Sequence, residues 1–83
     1  MEFSLYEQAL LSKWVSGQEA ARVGRKTTVV CLQMKNGYEV IGTSACVNPE
    51  EYEYDLGVFY ATKDALTKVE DIAGYIEHEN LLT

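Results

Sequence analysis

Two side chains in this sequence are of the types that most often carry covalent or acid–base catalysis. Cys31 is a candidate nucleophile and His78, the one histidine, is a candidate general base. Cys31 lies in a run of β-branched and apolar residues, where a cysteine is usually a small core side chain. His78 lies near the C-terminus among polar residues, where solvent exposure is expected. We therefore predict that the protein is not an enzyme, with the Cys31 and His78 pair as the alternative.

The stretch between residues 50 and 55 contains four carboxylates and two tyrosines. Carboxylates at this density suit a hard cation or the Lys and Arg side chains of a partner protein. Their order does not match a calcium-binding loop, and acids at a helix start are also favoured by the helix dipole alone. We predict no metal site and no cofactor. The candidate partner-binding residues are Glu50, Glu51, Glu53, Tyr54 and Asp55.

Positive charge gathers in one loop, at Arg22, Arg25 and Lys26. Basic loops contact the phosphates of nucleic acids, so the alternative function is a nucleic-acid-binding accessory protein that uses these three residues. The whole chain, however, has a net charge of −6, and residues 48–83 carry two lysines against nine carboxylates, a net charge of −7. Such acidity repels phosphate, so a protein with a basic surface is the favoured partner and nucleic acid the less favoured one.

The elements that position these residues begin with an N-terminal helix. Ser4 and Glu7 have the spacing of a capping box, and an apolar residue recurs at every fourth position from Tyr6 to Trp14. Gly17 is a suitable end for this helix. Residues 18–26 are ambiguous. Residues 18–23 fit a further helical turn, and Gly24 ends the segment in either case.

The clearest pattern in the chain predicts a β-hairpin. Residues 27–32 and 38–43 are rich in β-branched side chains, and they flank Asn36-Gly37. That dipeptide is typical of a two-residue type I′ turn, which requires positive φ at both positions.

The turn predicts a register in which Cys31 lies opposite Gly42 and Val29 lies opposite Ser44. Gly42 and Ser44 then form a slot in which a helix can pack closely. The same register places Val29, Cys31, Tyr38 and Val40 on a second apolar face. We expect a helix to cover this face, with a second copy of the chain as the alternative.

The last element opens at Asn48-Pro49, a suitable N-cap followed by a suitable first helical residue. Apolar residues then follow helical spacing as far as Ile76, and Gly57 marks a possible joint between two helices. The predicted fold class is α+β, with an N-terminal helix, an antiparallel β-hairpin and one or two C-terminal helices packed on it. We expect a single domain over residues 1–83. Apolar runs are far shorter than the ~20 residues of a membrane-spanning helix, so we expect a cytosolic protein without membrane contact.

Three motifs follow one another between Lys35 and Tyr52: Asn-Gly, Gly-x-Ser-Ala-Cys-Val and Asn-Pro-Glu. In this order they resemble a family of small tailed-phage accessory proteins of unknown function, the phage gene-product forty-nine / gene sixty-six family. The resemblance spans residues 28–77, and residues 1–26 lie outside it. It implies a phage-encoded protein in the host cytoplasm and brings no catalytic residues.

A small acidic phage protein without catalytic residues can still act by occupying the surface of a partner. We therefore expect an inhibitor or modulator of a host or defence protein, for example an anti-CRISPR protein whose acids imitate phosphates. A homodimer with a structural role is the other alternative, and light scattering would separate a mass of 9.3 kDa from twice that value.

Overall fold

The computed structural model describes residues 1–82 as a helix, a three-stranded antiparallel sheet, a short 3₁₀ turn and a long helix. The strand order is β1-β2-β3. The predicted α+β class, the N-terminal helix, the hairpin and a C-terminal helix are confirmed, whereas β1 is an additional strand. None of the helices in the described chain is both long and apolar enough to cross a bilayer. The elements are α1 (Leu5–Trp14), β1 (Val15–Val23), β2 (Thr27–Met34), β3 (Glu39–Ala45), the 3₁₀ turn (Pro49–Glu51) and α2 (Tyr54–Leu82).

Helix α1 begins with the predicted capping box. The Glu7 backbone N–H donates to Ser4 Oγ at 3.0 Å, and the Ser4 backbone N–H donates to Glu7 Oε1 at 2.8 Å. The helix ends at Trp14, since the backbone of Val15 is already extended (φ −105°, ψ 127°), and Lys35 binds two of the last carbonyl groups. The Lys35 backbone N–H donates to Trp14 O at 2.8 Å, and its ammonium donates to Ser12 O at 2.6 Å.

Residues 15–23 form strand β1, so the predicted helix end near Gly17 and the helical turn after it are wrong. Local composition favours helix here, since the segment contains Gln, Glu and two alanines. The strand pairs with β2 from Val15, opposite Met34, to Val23, opposite Thr27. The hydrogen bonds and side-chain contacts of this pairing outweigh propensity differences of less than ~1 kcal/mol per residue.

The hairpin between β2 and β3 has a three-residue loop instead of the predicted two-residue turn. The Met34 N–H donates to Tyr38 O at 2.7 Å, and the Gly37 N–H donates to Met34 O at 2.9 Å. Gly37 has a φ of +91°, whereas Asn36 has a negative φ. The loop is therefore a type I turn followed by a glycine in the left-handed region, the common form of three-residue hairpin.

The longer loop shifts the hairpin register by one residue, which exchanges the two faces of β3. Gly42 lies opposite Val30 instead of Cys31, and Val40 lies opposite Leu32. Val40 is consequently buried beneath the helices, at 5% exposure, and does not belong to the second face as predicted.

The second face of the sheet, which we call the open face, has no helix over it among the described residues. Val29 and Cys31 lie there half-buried, together with Ile41, which is 44% exposed. Both helices pack on the opposite face, so the predicted helical cover of this face is wrong. Cys31 and Cys46 are both free thiols.

Helix α2 packs into the slot that Gly42 and Ser44 form, as predicted, but the slot lies on the face of Val30 and Thr28 instead of the face of Cys31 and Val29. A Cβ atom on Gly42 would lie 2.1 Å from Ala61 O and 2.4 Å from the Ala65 backbone nitrogen. Ser44 Oγ donates to Gly57 O at 2.8 Å, and α2 is one unbroken helix through this glycine. The buried apolar cluster around the slot consists of Leu10, Val30, Leu32, Met34, Val40, Ala61, Ala65, Leu66 and Val69.

Candidate functional site

The acidic segment, which comprises Glu50, Glu51, Glu53, Tyr54 and Asp55, occupies the connection between β3 and α2. Asn48 begins it as the predicted N-cap, since its Oδ1 accepts from the Glu50 N–H at 3.1 Å. The element that it caps is only the 3₁₀ turn, because the backbone is extended at Tyr52 (φ −64°, ψ 126°). The four acids are therefore distributed over the 3₁₀ turn, the extended connection and the first turn of α2.

Two tyrosines attach the acidic segment to the sheet. The Tyr52 hydroxyl lies 2.7 Å from Oγ1 of Thr28, which is fully buried in β2. The Arg22 guanidinium lies 4.3 Å from the centre of the Tyr52 ring, in a cation–π contact. The Tyr54 hydroxyl donates to Ala20 O of β1 at 3.3 Å. The segment is thus held against two strands, and 46% of Tyr54 remains exposed.

The four carboxylates of the acidic segment are all exposed. Within the described residues none of them forms an ion pair; the two ion pairs found there join Lys13 to Glu77 and Lys63 to Glu7. Across residues 1–82 no three His, Cys, Asp or Glu side chains converge in a way that would hold a metal ion. The arrangement suits cationic side chains that approach from outside.

The basic turn, formed by Arg22, Arg25 and Lys26, lies at the same end of the molecule. Arg22 donates to the Arg25 carbonyl oxygen while it stacks on Tyr52. Lys26 Nζ donates to Val47 O at 3.4 Å, next to the acidic segment. Two of the three proposed phosphate-binding residues are therefore engaged within the chain, and a nucleic acid at this turn would also meet the four carboxylates.

The structure does not bring the two candidate catalytic residues together. Cys31 lies in the middle of β2 on the open face, opposite Glu19 and Ile41. His78 is exposed near the C-terminal end of α2. No hydrogen bond or ion pair in the described part of the chain joins them.

A groove of about 500 Å³ between α1 and α2 was missed by the sequence-based prediction. The four-residue spacing of Tyr6, Leu10 and Trp14 predicted one buried stripe. Only Leu10 is buried, whereas Tyr6 is 57% exposed and Trp14 is half-buried. The available signal was the pair Ala73-Gly74 on the facing helix, because small residues leave space between two helices.

Comparison with known families gives one match. The model of the family described as "Phage protein (N4 Gp49/phage Sf6 gene 66) family" matches residues 6–81. The match confirms the family resemblance seen in residues 28–77 and extends it through α1 and β1. No curated protein and no solved structure matches the chain.

Proposed function

Because the chain belongs to the phage protein (N4 Gp49/phage Sf6 gene 66) family, we propose that it acts in the cytoplasm of an infected bacterium by binding a host or defence protein. It acts by occupying the partner's surface, as an inhibitor or modulator, and without catalysis. The contact is made by the acidic segment, and the partner surface is basic. An anti-CRISPR protein or another inhibitor that imitates phosphates is the specific form of this proposal.

The observation that carries the proposal is the display of four exposed carboxylates, none of them in an ion pair among residues 1–82, on a segment that two tyrosines hold against the sheet. Tyr52 and Tyr54 fasten the segment to β2 and β1 through hydrogen bonds of 2.7 and 3.3 Å. A segment that is ordered before binding loses little conformational entropy when the partner arrives. Its negative field also accelerates the approach of a basic surface and repels acidic ones.

Tyr54 adds an aromatic contact at the centre of the segment. The residue is 46% exposed, although its hydroxyl donates to Ala20 O. Tyrosines of this kind are frequent among the residues that contribute most to binding, because a rigid ring buries a large area at low entropic cost.

The alternative function, nucleic-acid binding through the basic turn, is less well supported by the contacts. Arg22 stacks on Tyr52 and Lys26 binds Val47 O, both beside the acidic segment. A phosphate backbone at the turn would gain from at most three cations while it approaches four carboxylates.

The proposal is tested by affinity capture from host cells, with and without infection, followed by mass spectrometry. We expect one stoichiometric protein that carries a basic surface. Removal of the four charges should weaken its binding by about fourfold or more, since exposed ion pairs contribute ~0.2–1 kcal/mol each. The variant combines Glu50→Gln, Glu51→Gln, Glu53→Gln and Asp55→Asn.

A matched control removes four exposed carboxylates from other surfaces of the molecule. Unchanged binding of the acidic-segment variant, or capture of nothing but nuclease-sensitive nucleic acid, would overturn the proposal. Loss of binding in the control variant alone would also overturn it and would place the contact outside the acidic segment. The control combines Glu2→Gln, Glu19→Gln, Glu39→Gln and Glu79→Gln.

A further inference from the structure

The groove between α1 and α2 is a second candidate surface, well separated from the acidic segment. Leu10 of α1 and Ala73 of α2 are buried and form its apolar floor, with 7% and 4% exposure. Its volume of about 500 Å³ is within the range of pockets that bind ligands. From Asp55 to Glu70, on the groove wall, the distance along α2 is about 22 Å at ~1.5 Å per residue.

The groove stays open because its walls lack a side chain that fills it. A Cβ atom on Gly74 would have no neighbour within 4 Å. Across from it, Tyr6 is 57% exposed and Trp14 is half-buried. The groove therefore offers aromatic surface beside a flat stretch of helix, which suits an apolar or long-chain side group.

A cation of the chain itself already occupies one end of the groove. Lys13 Nζ lies 5.3 Å from the centre of the Trp14 ring and 3.2 Å from Glu77 Oε1. This is the geometry of a cation–π contact completed by a carboxylate. The groove thus combines the two groups that recognise an ammonium or guanidinium.

Two further carboxylates of the groove wall, Glu70 and Asp71, are exposed. Within residues 1–82 neither forms an ion pair, because the ion pairs found there involve Glu7 and Glu77. The lining therefore carries three carboxylates against Lys13 alone, so it attracts cations and repels phosphate.

We propose that this groove binds a segment of a partner protein that presents Lys or Arg next to an apolar side chain. The apolar side chain lies on Leu10, Ala73 and Gly74. The cation lies between the aromatic walls and Glu70 or Asp71, as Lys13 does with Glu77. This contact goes beyond the function proposed above, since it uses neither the acidic segment nor the basic turn.

Trp14 is the single tryptophan of the chain, so its fluorescence reports directly on the groove. The experiment is a titration with a short synthetic peptide of Leu, Lys and Ala, and with a matched peptide in which Glu replaces every Lys. We expect a saturable change in Trp14 emission with the Lys peptide and none with the Glu peptide. Binding should be about tenfold weaker in the double variant Glu70→Gln/Asp71→Asn.

Two more variants separate a groove contact from general attraction to an acidic protein. Gly74→Leu fills the groove without any change of charge, and the open space at Gly74 allows it to fold. It should abolish the fluorescence change. The four-charge variant of the acidic segment should leave the titration unchanged, although it removes more charge than the double variant. This comparison also keeps the test independent of the function proposed above.

The proposal is overturned by any of three results. These are a flat titration with the Lys peptide, equal binding of the Glu peptide, or a Gly74→Leu variant that binds as well as the wild type. Weaker binding in the acidic-segment variant than in the double variant would show non-specific electrostatic attraction and would overturn it too. A mass of twice 9.3 kDa without peptide that returns to 9.3 kDa in the Gly74→Leu variant would identify a second copy of the chain as the occupant of the groove and would likewise overturn it.

Discussion

Glycine occurs twice inside α2, and the two positions have opposite surroundings. A Cβ atom on Gly57 would lie 2.1 Å from Thr28 Oγ1, whereas one on Gly74 would contact nothing within 4 Å. We expect Gly74→Ala to raise the free energy of unfolding by about 0.5–1 kcal/mol, because alanine restricts the unfolded chain and favours helix. Gly57→Ala should lower it by about 1–3 kcal/mol through overpacking. Urea denaturation of the two variants measures both effects.

The control for this pair is Thr28→Ala, which removes the hydroxyl that the new methyl group would meet. The double variant Gly57→Ala/Thr28→Ala should be more stable than the sum of the single effects predicts, because the two residues are in contact. Additive effects, or equal effects of alanine at Gly57 and Gly74, would contradict the described packing.

The contribution of Glu7 to the free energy of unfolding should depend on pH. Hydrogen bonds from Lys63 and from the Ser4 backbone N–H hold the pKa of its carboxyl below the ordinary value of 4.5. A folded-state pKa below the unfolded-state value stabilises the fold above that unfolded value, and the contribution is lost as pH falls through the folded-state pKa. The difference in unfolding free energy between wild type and Glu7→Gln should therefore be constant near neutral pH and shrink below 4.5.

The partner of Glu7 supplies the control for this pH dependence. Lys63 Nζ lies 2.8 Å from Glu7 Oε1 and 5.1 Å from the centre of the Phe59 ring. In a Lys63→Gln background, the pH-dependent part of the Glu7→Gln effect should become smaller, since the largest cause of the pKa shift is gone. A Glu7→Gln effect that stays constant down to a pH of about 3 would contradict the prediction.

At the scale of the elements, side chains of α2 close the free edge of β3. Asp64 Oδ2 accepts from the Thr43 backbone N–H at 2.9 Å, and the Lys68 ammonium donates to the Ile41 carbonyl oxygen. Unpaired groups on an edge strand are a template for another strand. We expect Asp64→Ala/Lys68→Ala to self-associate at high concentration, with a scattering mass above that of the wild type.

The matched control for the edge is Lys13→Ala/Glu77→Ala. It removes one acid and one lysine from an exposed ion pair that does not touch β3. Its scattering mass should equal that of the wild type. If the Asp64→Ala/Lys68→Ala variant also keeps the wild-type mass, these two side chains do not protect the edge.

The elements with a local signal were predictable from the sequence. The capping box at Ser4 and Glu7 and the N-cap at Asn48 depend on neighbouring residues, and both are confirmed. Strand β1 and the three-residue hairpin loop were not predictable, because they depend on distant contacts. The three-residue loop gives the register in which Val40 is buried in the core, and β1 pairs with β2 from Val15 to Val23.

In the candidate site, too, features that depend on residue type were predictable, and features that depend on distant contacts were not. Exposure of the four acids agrees with what charged residues ordinarily do, so it could be expected from their type alone. The stacking of Arg22 on Tyr52 and the bond from Tyr54 to Ala20 join strands to a remote connection, and no local pattern encodes them. Through these contacts the acidic segment and the basic turn, which are separate in the sequence, lie side by side at one end of the molecule.

At the scale of the whole molecule, the uneven distribution of charge along the sequence is partly balanced in space. The basic turn lies in the N-terminal half of the chain, yet it packs beside the acidic segment of the C-terminal half. Glu70 and Asp71, in the distal part of α2, form no ion pair among residues 1–82 either, so exposed negative charge is not confined to the acidic segment.

Because α2 is one continuous helix, it fixes the distance between the two proposed binding surfaces. Asp55, the last residue of the acidic segment, and Glu70, on the wall of the groove, lie on this one helix, about 22 Å apart at ~1.5 Å per residue. Two weak contacts on a rigid body give a high effective concentration for the second contact, provided that the partner's sites have the same spacing. With any other spacing the second contact adds nothing, because the helix cannot stretch as a flexible linker would. The length of α2 would then determine which partners bind with avidity, because only partners whose two sites match this spacing can make both contacts at once.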